Sequence, residues 1–125
     1  MRELKFRAYL TEKKRMFIPD YEFVKDKTLL GFFRRLSHFN EPHIIMQYTG
    51  GKDRTGNDIY EGDILEKNSF KWEVKFKKGS FIGVCNDDGF ERTAQLYDNN
   101  TKKETIIGNV YENPELIWGD NKCEY

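Results

Sequence analysis

The chain has 125 residues, 38% of them hydrophobic and 15% aromatic, which suits one domain with a small appendage and excludes a disordered chain. Formal net charge is zero, from 21 basic and 21 acidic residues, so the broad positive field that non-specific nucleic-acid binding needs is absent. No apolar run approaches a membrane span, and from the charged start Met1-Arg2-Glu3-Leu4 no secretory leader is expected. Cys85 and Cys123 lie far apart without a CxxC, so a cytoplasmic protein with reduced thiols is expected, Cys85 serving as a small core residue.

Leu4–Leu10 alternates apolar and basic residues through Ala8 and predicts a strand. Arg15–Ile18 predicts a short return strand, ended by Pro19-Asp20. Asp26–Leu36 carries apolar residues at 29, 32, 33 and 36, the spacing of a short amphipathic helix with Asp26 as its cap. After a linker at Ser37–Pro42, His43–Thr49 is rich in β-formers. Gly50–Asp58 reads as a polar loop with three glycines, and Ile59–Glu66 as one strand interrupted by Glu-Gly-Asp.

Phe70, Trp72, Val74 and Phe76 alternate with Lys71, Glu73, Lys75 and Lys77, the cleanest two-residue period in the chain. It predicts those four apolar side chains facing the core. Further strands follow at Ser80–Cys85, Glu91–Tyr97 and Glu104–Tyr111, separated by hairpin and turn signals at Asn86-Asp87-Asp88-Gly89 and Asp98-Asn99-Asn100. Asn113-Pro114-Glu115-Leu116 predicts the cap and first turn of a short helix. No helix of crossover length lies between the strands after His43, which excludes parallel wiring. The expected fold is mainly β: a small antiparallel SH3-like barrel over residues 43–125, with an N-terminal strand pair and short helix, residues 1–42, packed on it.

In Ile59-Tyr60-Glu61-Gly62-Asp63-Ile64-Leu65, Glu61 and Asp63 would share one face of an extended strand, about 6–7 Å apart. That distance suits carboxylate chemistry. Yet no phosphate loop, nucleophile motif or second acid cluster accompanies the pair. A bend explains it better: glycine takes the backbone where the strand leaves a wide loop, and the neighbouring acid accepts N–H groups from that loop. No catalytic residue is expected, and a hydrolase ranks last among the readings.

Met46-Gln47-Tyr48-Thr49-Gly50, Lys52-Asp53, Gly56 and Ile59-Tyr60-Glu61-Gly62-Asp63-Ile64 resemble the central signature of the YopX-like family, small proteins carried by bacteria, prophages and phages. Met1–Tyr9 and Ile107–Leu116 match its terminal blocks. Gly51 departs from the family's pattern, where a bulky apolar residue is common. The resemblance implies an SH3-like barrel, a phage or prophage origin, the cytoplasm of a bacterial host, and no established activity. It makes Gln47, Tyr48, Asp53, Tyr60, Glu61, Asp63, Asn109, Tyr111 and Glu112 the candidate binding surface.

Other constellations argue for little. His38, Glu41 and His43 are too few, and too stiffened by Pro42, for a metal site; no metal or cofactor is expected. Lys71, Lys75, Lys77 and Lys78 share a segment with aromatic residues, as in single-strand binders, but alternation turns the rings away from the lysines. Residues 1–40 hold ten Lys/Arg against five Asp/Glu, and residues 84–125 four against nine. Opposite charge at the two ends suits head-to-tail self-association, and equally the two halves lying beside each other in one monomer. The expected role is therefore a non-catalytic protein-binding or self-assembling module with an unknown protein partner, forming a homo-oligomer and touching no membrane. The alternative is nucleic-acid binding through Lys71–Lys78, which the neutral charge disfavours.

Overall fold

A computed structural model describes residues 4–18, 29–67, 70–87, 90–96 and 104–117. Its described strands are β1 (Phe6–Leu10), β2 (Arg15–Phe17), β3 (His43–Lys52), β4 (Asp58–Tyr60), β5 (Asp63–Lys67), β6 (Phe70–Lys77), β7 (Ser80–Asp87), β8 (Phe90–Gln95) and β9 (Thr105–Asn109); a helix, α1, spans Leu29–Leu36 and a 3₁₀ turn Pro114–Ile117. The fold is mainly antiparallel β, as expected, with a curled half-barrel sheet and a second sheet. Strand order is β2-β1-β3-β4 in the one and β8-β7-β6-β5-β9 in the other. Contacts divide the chain into two compact units, Met1–Tyr48 and Thr49–Tyr125.

In the first unit β1 pairs with both β2 and β3, setting Ala8 opposite Phe17 and Ile45. Phe6, Ala8 and Leu10 therefore share a face with Phe17. Phe32 and Leu36 of α1, four residues apart and both 2% exposed, form a core cluster with Ala8 and Leu10, flanked by Phe6, Phe17 and Phe39. The Phe32 ring lies 5.9 Å from that of Phe6 and 6.2 Å from that of Phe17. Arg34 and Arg35 in the last turn complement the helix dipole. Phe33, expected on the buried stripe, is 41% exposed and leans on Phe6. The proposed Asp26 cap lies outside the described residues.

Glu41 fastens the turn between β1 and β2. Its Oε1 accepts the N–H groups of Glu12 and Lys13, and its Oε2 pairs with Lys13 Nζ at 3.0 Å. Thr11 donates its N–H and its hydroxyl to the Pro42 carbonyl. The hydrogen bond from the Lys13 backbone leads the influences that hold the Glu41 carboxyl below its usual value.

In the second unit β6 is the centre of the five-stranded sheet. Val74 is buried at 1% and forms a core with Ile59 and Leu65, against which Leu96 and Ile106 pack. Phe70 and Trp72 are half-buried, as are Lys71 and Lys75. Phe76, expected in the core, is 48% exposed. It stands at the end of β6, beside the Lys78-Gly79 turn, with its ring 4.9 Å from that of Phe81. Nor is the opposite face simply solvated. Ile64, Ile82 and Val84 lie on it and are buried, and burial pushes the Glu73 carboxyl up against the pull of Lys75 and Lys77. Cys85 is buried and disulfide-bonded, where the sequence led to a reduced thiol; Cys123 lies outside the described residues.

The position of Phe76 makes a contrast that urea unfolding can measure. Val74→Ala opens a void in a closed core and should cost about 2 kcal/mol, while Phe76→Ala, the larger truncation, should cost roughly 1 kcal/mol or less. A larger loss at Phe76 than at Val74 would place the core elsewhere.

Candidate functional site

The predicted loop Gly50–Asp58 is shorter than expected, because β3 runs on to Lys52. Gly50, at φ 92°, turns the strand without ending it, and Thr49 Oγ1 accepts the Gly51 N–H at 3.1 Å. The loop proper is Asp53–Asn57, and Asp53 organises it. Asp53 is 1% exposed. Its Oδ1 accepts the Thr55 N–H, the Thr55 hydroxyl and the Asn57 N–H, each at 2.9 Å. Its Oδ2 accepts the Ile106 N–H of β9 at 3.0 Å. The Arg54 N–H reaches the Glu104 carbonyl at 2.8 Å, so the loop lies along β9 by two bonds. Burial raises the Asp53 carboxyl, but the hydrogen bonds from Ile106, Asn57 and Thr55 outweigh it and hold the group below its ordinary value.

The Glu-Gly-Asp bend separates β4 from β5 and sends them into different sheets, so the single strand expected over Ile59–Glu66 becomes two. Gly62 has φ 85°. Its N–H donates to the Val74 carbonyl and its carbonyl accepts the Val110 N–H, both at 2.9 Å. The Asp63 side chain, 2% exposed, turns back so that Oδ2 accepts the Tyr60 N–H at 2.8 Å. Half-buried Glu61 lies in the turn rather than on a strand with Asp63. The geometry that would have made them a same-face pair is therefore absent.

A third brace begins where Asp63 stands opposite Asn109 in the β5–β9 register. Asn109 Oδ1 accepts the N–H groups of Tyr111 and Glu112, while its Nδ2 donates to Glu112 Oε1 at 2.8 Å. Asn113 stands at the cap position expected from sequence, its carbonyl accepting the Leu116 N–H of the 3₁₀ turn, while its side-chain Oδ1 accepts the Asn109 N–H at 3.2 Å. That return path needs the bare backbone of Gly108, where an added Cβ would lie 2.5 Å from Asn113 Oδ1. Asp53, Asp63, Asn109 and Glu112 thus belong to linked loop braces in one unit, together with Tyr60, buried, and Tyr111, half-buried. Gln47 and Tyr48 lie on β3 in the other unit, opposite β1; Tyr48 is buried beneath Lys5, whose Nζ is 4.9 Å from the ring centroid.

Elsewhere in the second unit is an open groove of about 590 Å³, lined by Lys77, Lys78, Ser80, Ile82, Glu91 and Thr93. Sequence reasoning found the lysines but not the other four, since only the β6–β7–β8 register brings them together. Lys77 Nζ pairs with Glu91 Oε1 at 2.5 Å. That pair holds the Glu91 carboxyl below its usual value. His43 Nδ1 lies 3.2 Å from the Glu41 carbonyl. Among the described residues no three His, Cys, Asp or Glu side chains are grouped to hold a metal. No helix among them is long and apolar enough to cross a membrane.

The signature residues, set in this geometry, match a known family: the model for YopX protein covers residues 5–118. The chain belongs to the YopX family. It is also similar to a solved structure, the crystal structure of protein EF1440 from Enterococcus faecalis, with 28% identity and a TM-score of 0.60 over 94% of this chain and 100% of that one. No functionally curated protein matches it.

Two outcomes follow for the braces of this YopX chain. Gly62→Ala places a Cβ at positive φ and should cost on the order of 1–2 kcal/mol; Asp63→Asn, which keeps an acceptor, should cost less than Asp63→Ala. Thermal unfolding orders the three, and a Gly62→Ala variant as stable as the parent would return Glu61 and Asp63 to consideration as a site. The second concerns pH. A carboxyl held below its unfolded value contributes stability above that value, and the contribution is lost as pH falls through the folded value. Stability should therefore drop on acidification below about pH 4, the ordinary aspartate range, and Asp53→Asn should flatten that drop. Acid titrations of both chains followed by near-UV circular dichroism measure the difference.

Proposed function

We propose that this YopX-family chain is a non-catalytic protein-binding module that also self-associates. The observation carrying the reading is the inward turn of the signature's polar groups. Asp53, Asp63 and Asn109 are 1%, 2% and 8% exposed, and each has at least one oxygen occupied by backbone N–H groups. A general acid, base or nucleophile must reach its substrate. These side chains are engaged with the backbone of their own loops and, for Asp53, of β9, so the signature is a set of instructions for the fold, and recognition falls to the surface. The groove beside β8, with Ile82 among its lining residues and lysines, hydroxyls and a carboxylate around it, has the mixed character of a protein-contact surface. A phage or prophage setting completes the proposal on the strength of the family resemblance, while the Cys85 disulfide weighs against the reducing cytoplasm expected from the sequence.

The nucleic-acid reading rests on exposed Lys77 and Lys78 at one hairpin. It is the weaker one: Glu91 occupies Lys77, and the whole chain is neutral. Fluorescence anisotropy with generic DNA and RNA at about 150 mM salt should show no saturation below the micromolar range. Submicromolar, salt-sensitive binding would reverse the ranking. Bait made from the intact chain in lysogenic cells should enrich a protein partner rather than nucleic acid.

A further inference from the structure

The two outer edges of the five-stranded sheet are treated differently. The edge at β9 is covered, since Asp53 and Arg54 bond to its Ile106 N–H and Glu104 carbonyl. At the other edge, β8 pairs with β7 and, among the described residues, with no other strand. Which of its backbone groups point outward follows from the register. Lys78 and Gly79 have φ 51° and 81°, a two-residue turn closed by the Lys77–Ser80 pair. Such a turn closes on a hydrogen-bonded pair, so odd-numbered β6 residues bond to even-numbered β7 residues. The Gly62 N–H donating to the Val74 carbonyl on the far side of β6 agrees with that parity. The odd-numbered residues of β7 then bond to β8, where their partners are Phe90, Arg92 and Ala94. The N–H and C=O groups of Glu91, Thr93 and Gln95 are left to face away from the sheet.

Edge strands are ordinarily guarded by lysine, proline, a bulge or a free charge. The sequence Phe90-Glu91-Arg92-Thr93-Ala94-Gln95 has no lysine and no proline, and Lys77 neutralises Glu91. We propose that β8 pairs antiparallel with β8 of a second copy, about a two-fold axis at Thr93, joining two five-stranded sheets into one. This rests on the binding-module reading and names its surface. The register is selected by charge and by how many outward groups find a partner. An axis at Thr93 matches outward groups with outward groups and sets Glu91 across from the partner's Gln95 and Arg92 across from the partner's Ala94. An axis at Arg92 would oppose two like charges and leave Gln95 without a strand partner. An axis at Ala94 would leave Glu91 without a strand partner. The grooves of both copies, each with Thr93 in its lining, would then meet at the seam on one face of the joined sheet.

Sedimentation equilibrium of the intact chain, up to about 0.1 mM, tests this in the weak-to-moderate affinity range. The native chain is expected to reach a dimer. Thr93→Pro removes an outward N–H that β7 does not use and should raise the dissociation constant roughly tenfold or more. Thr93→Lys should weaken the dimer by setting two like charges at the axis, and an equimolar mixture of Thr93→Lys with Thr93→Glu should restore it. If circular dichroism shows that Thr93→Pro does not fold, the Lys and Glu variants decide. A native chain that stays monomeric overturns the proposal. So does a dimer that none of the variants changes; that second result leaves the binding-module reading standing, with its surface elsewhere.

Discussion

The carboxylate of Asp53 is the constraint on which the second unit depends. One oxygen gathers the Thr55 and Asn57 N–H groups and so shapes the loop after β3. The other takes the Ile106 N–H and so fixes that loop to β9. Fifty-three residues separate Asp53 from Ile106, and a single planar group closes that distance. Hydrogen bonds to a charged acceptor are about twice as strong as neutral ones, which lets them outweigh the cost of burying the charge. From β9 the order passes onward. Asn109, at its end, shapes the turn to Asn113, and the Val110 N–H meets the Gly62 carbonyl that opens β5. Three loops remote in sequence become one bonded assembly around the start of the central strands.

Much of this was legible in the residues themselves. Alternation located β6, because a strand with one closed face cannot shift by one residue without exposing that face. The bend at Gly62 was readable from the need for a positive φ where an acid follows glycine. What alternation does not carry is where a sheet stops. Phe76 has the same parity as Val74, yet lies where the turn ends the cover, so its period was right and its burial was not. Asp53 shows a second limit. An acid in a polar loop looks solvated, and only the run Asp53-Arg54-Thr55-Gly56-Asn57, with acceptor and donors two and four residues apart, hints that it holds a turn. Its bond to Ile106 has no local signal at all. Asn113 was readable as a cap from its place before proline, but not the backward bond of its amide oxygen to the Asn109 N–H.

These braces bear on how the family signature is to be understood. Carboxylates and amides in a motif invite a catalytic reading, and here chemistry and architecture make opposite demands on the same atoms. A catalytic acid must keep a lone pair free for substrate, while a structural one must spend its lone pairs on the backbone. Asp53 spends both oxygens and Asp63 at least one, each almost wholly hidden from solvent. On the binding-module proposal, the surface left for recognition is drawn from segments that the signature does not specify, including all of β6, β7 and β8. Proteins sharing this signature would share a scaffold while differing in what they bind.

A sheet with one sealed edge and one open edge has a direction of growth. At β9 the Asp53 loop occupies the outward groups, so an added strand would have to displace two bonds, one of them to a buried charge. At β8 no other strand among the described residues takes the outward groups of Glu91, Thr93 and Gln95, and the Lys77–Glu91 ion pair holds two side chains back toward the groove. Backbone hydrogen bonds are nearly the same for any sequence, so the open edge by itself would accept many partners. Selectivity must come from the side chains beside it. There the alternation along β8 presents Glu91 and Thr93 on the groove side and Arg92 and Ala94 on the other, which penalises a strand that brings an acid opposite Glu91 or a base opposite Arg92. The second copy of the chain, in the register centred on Thr93, meets neither penalty.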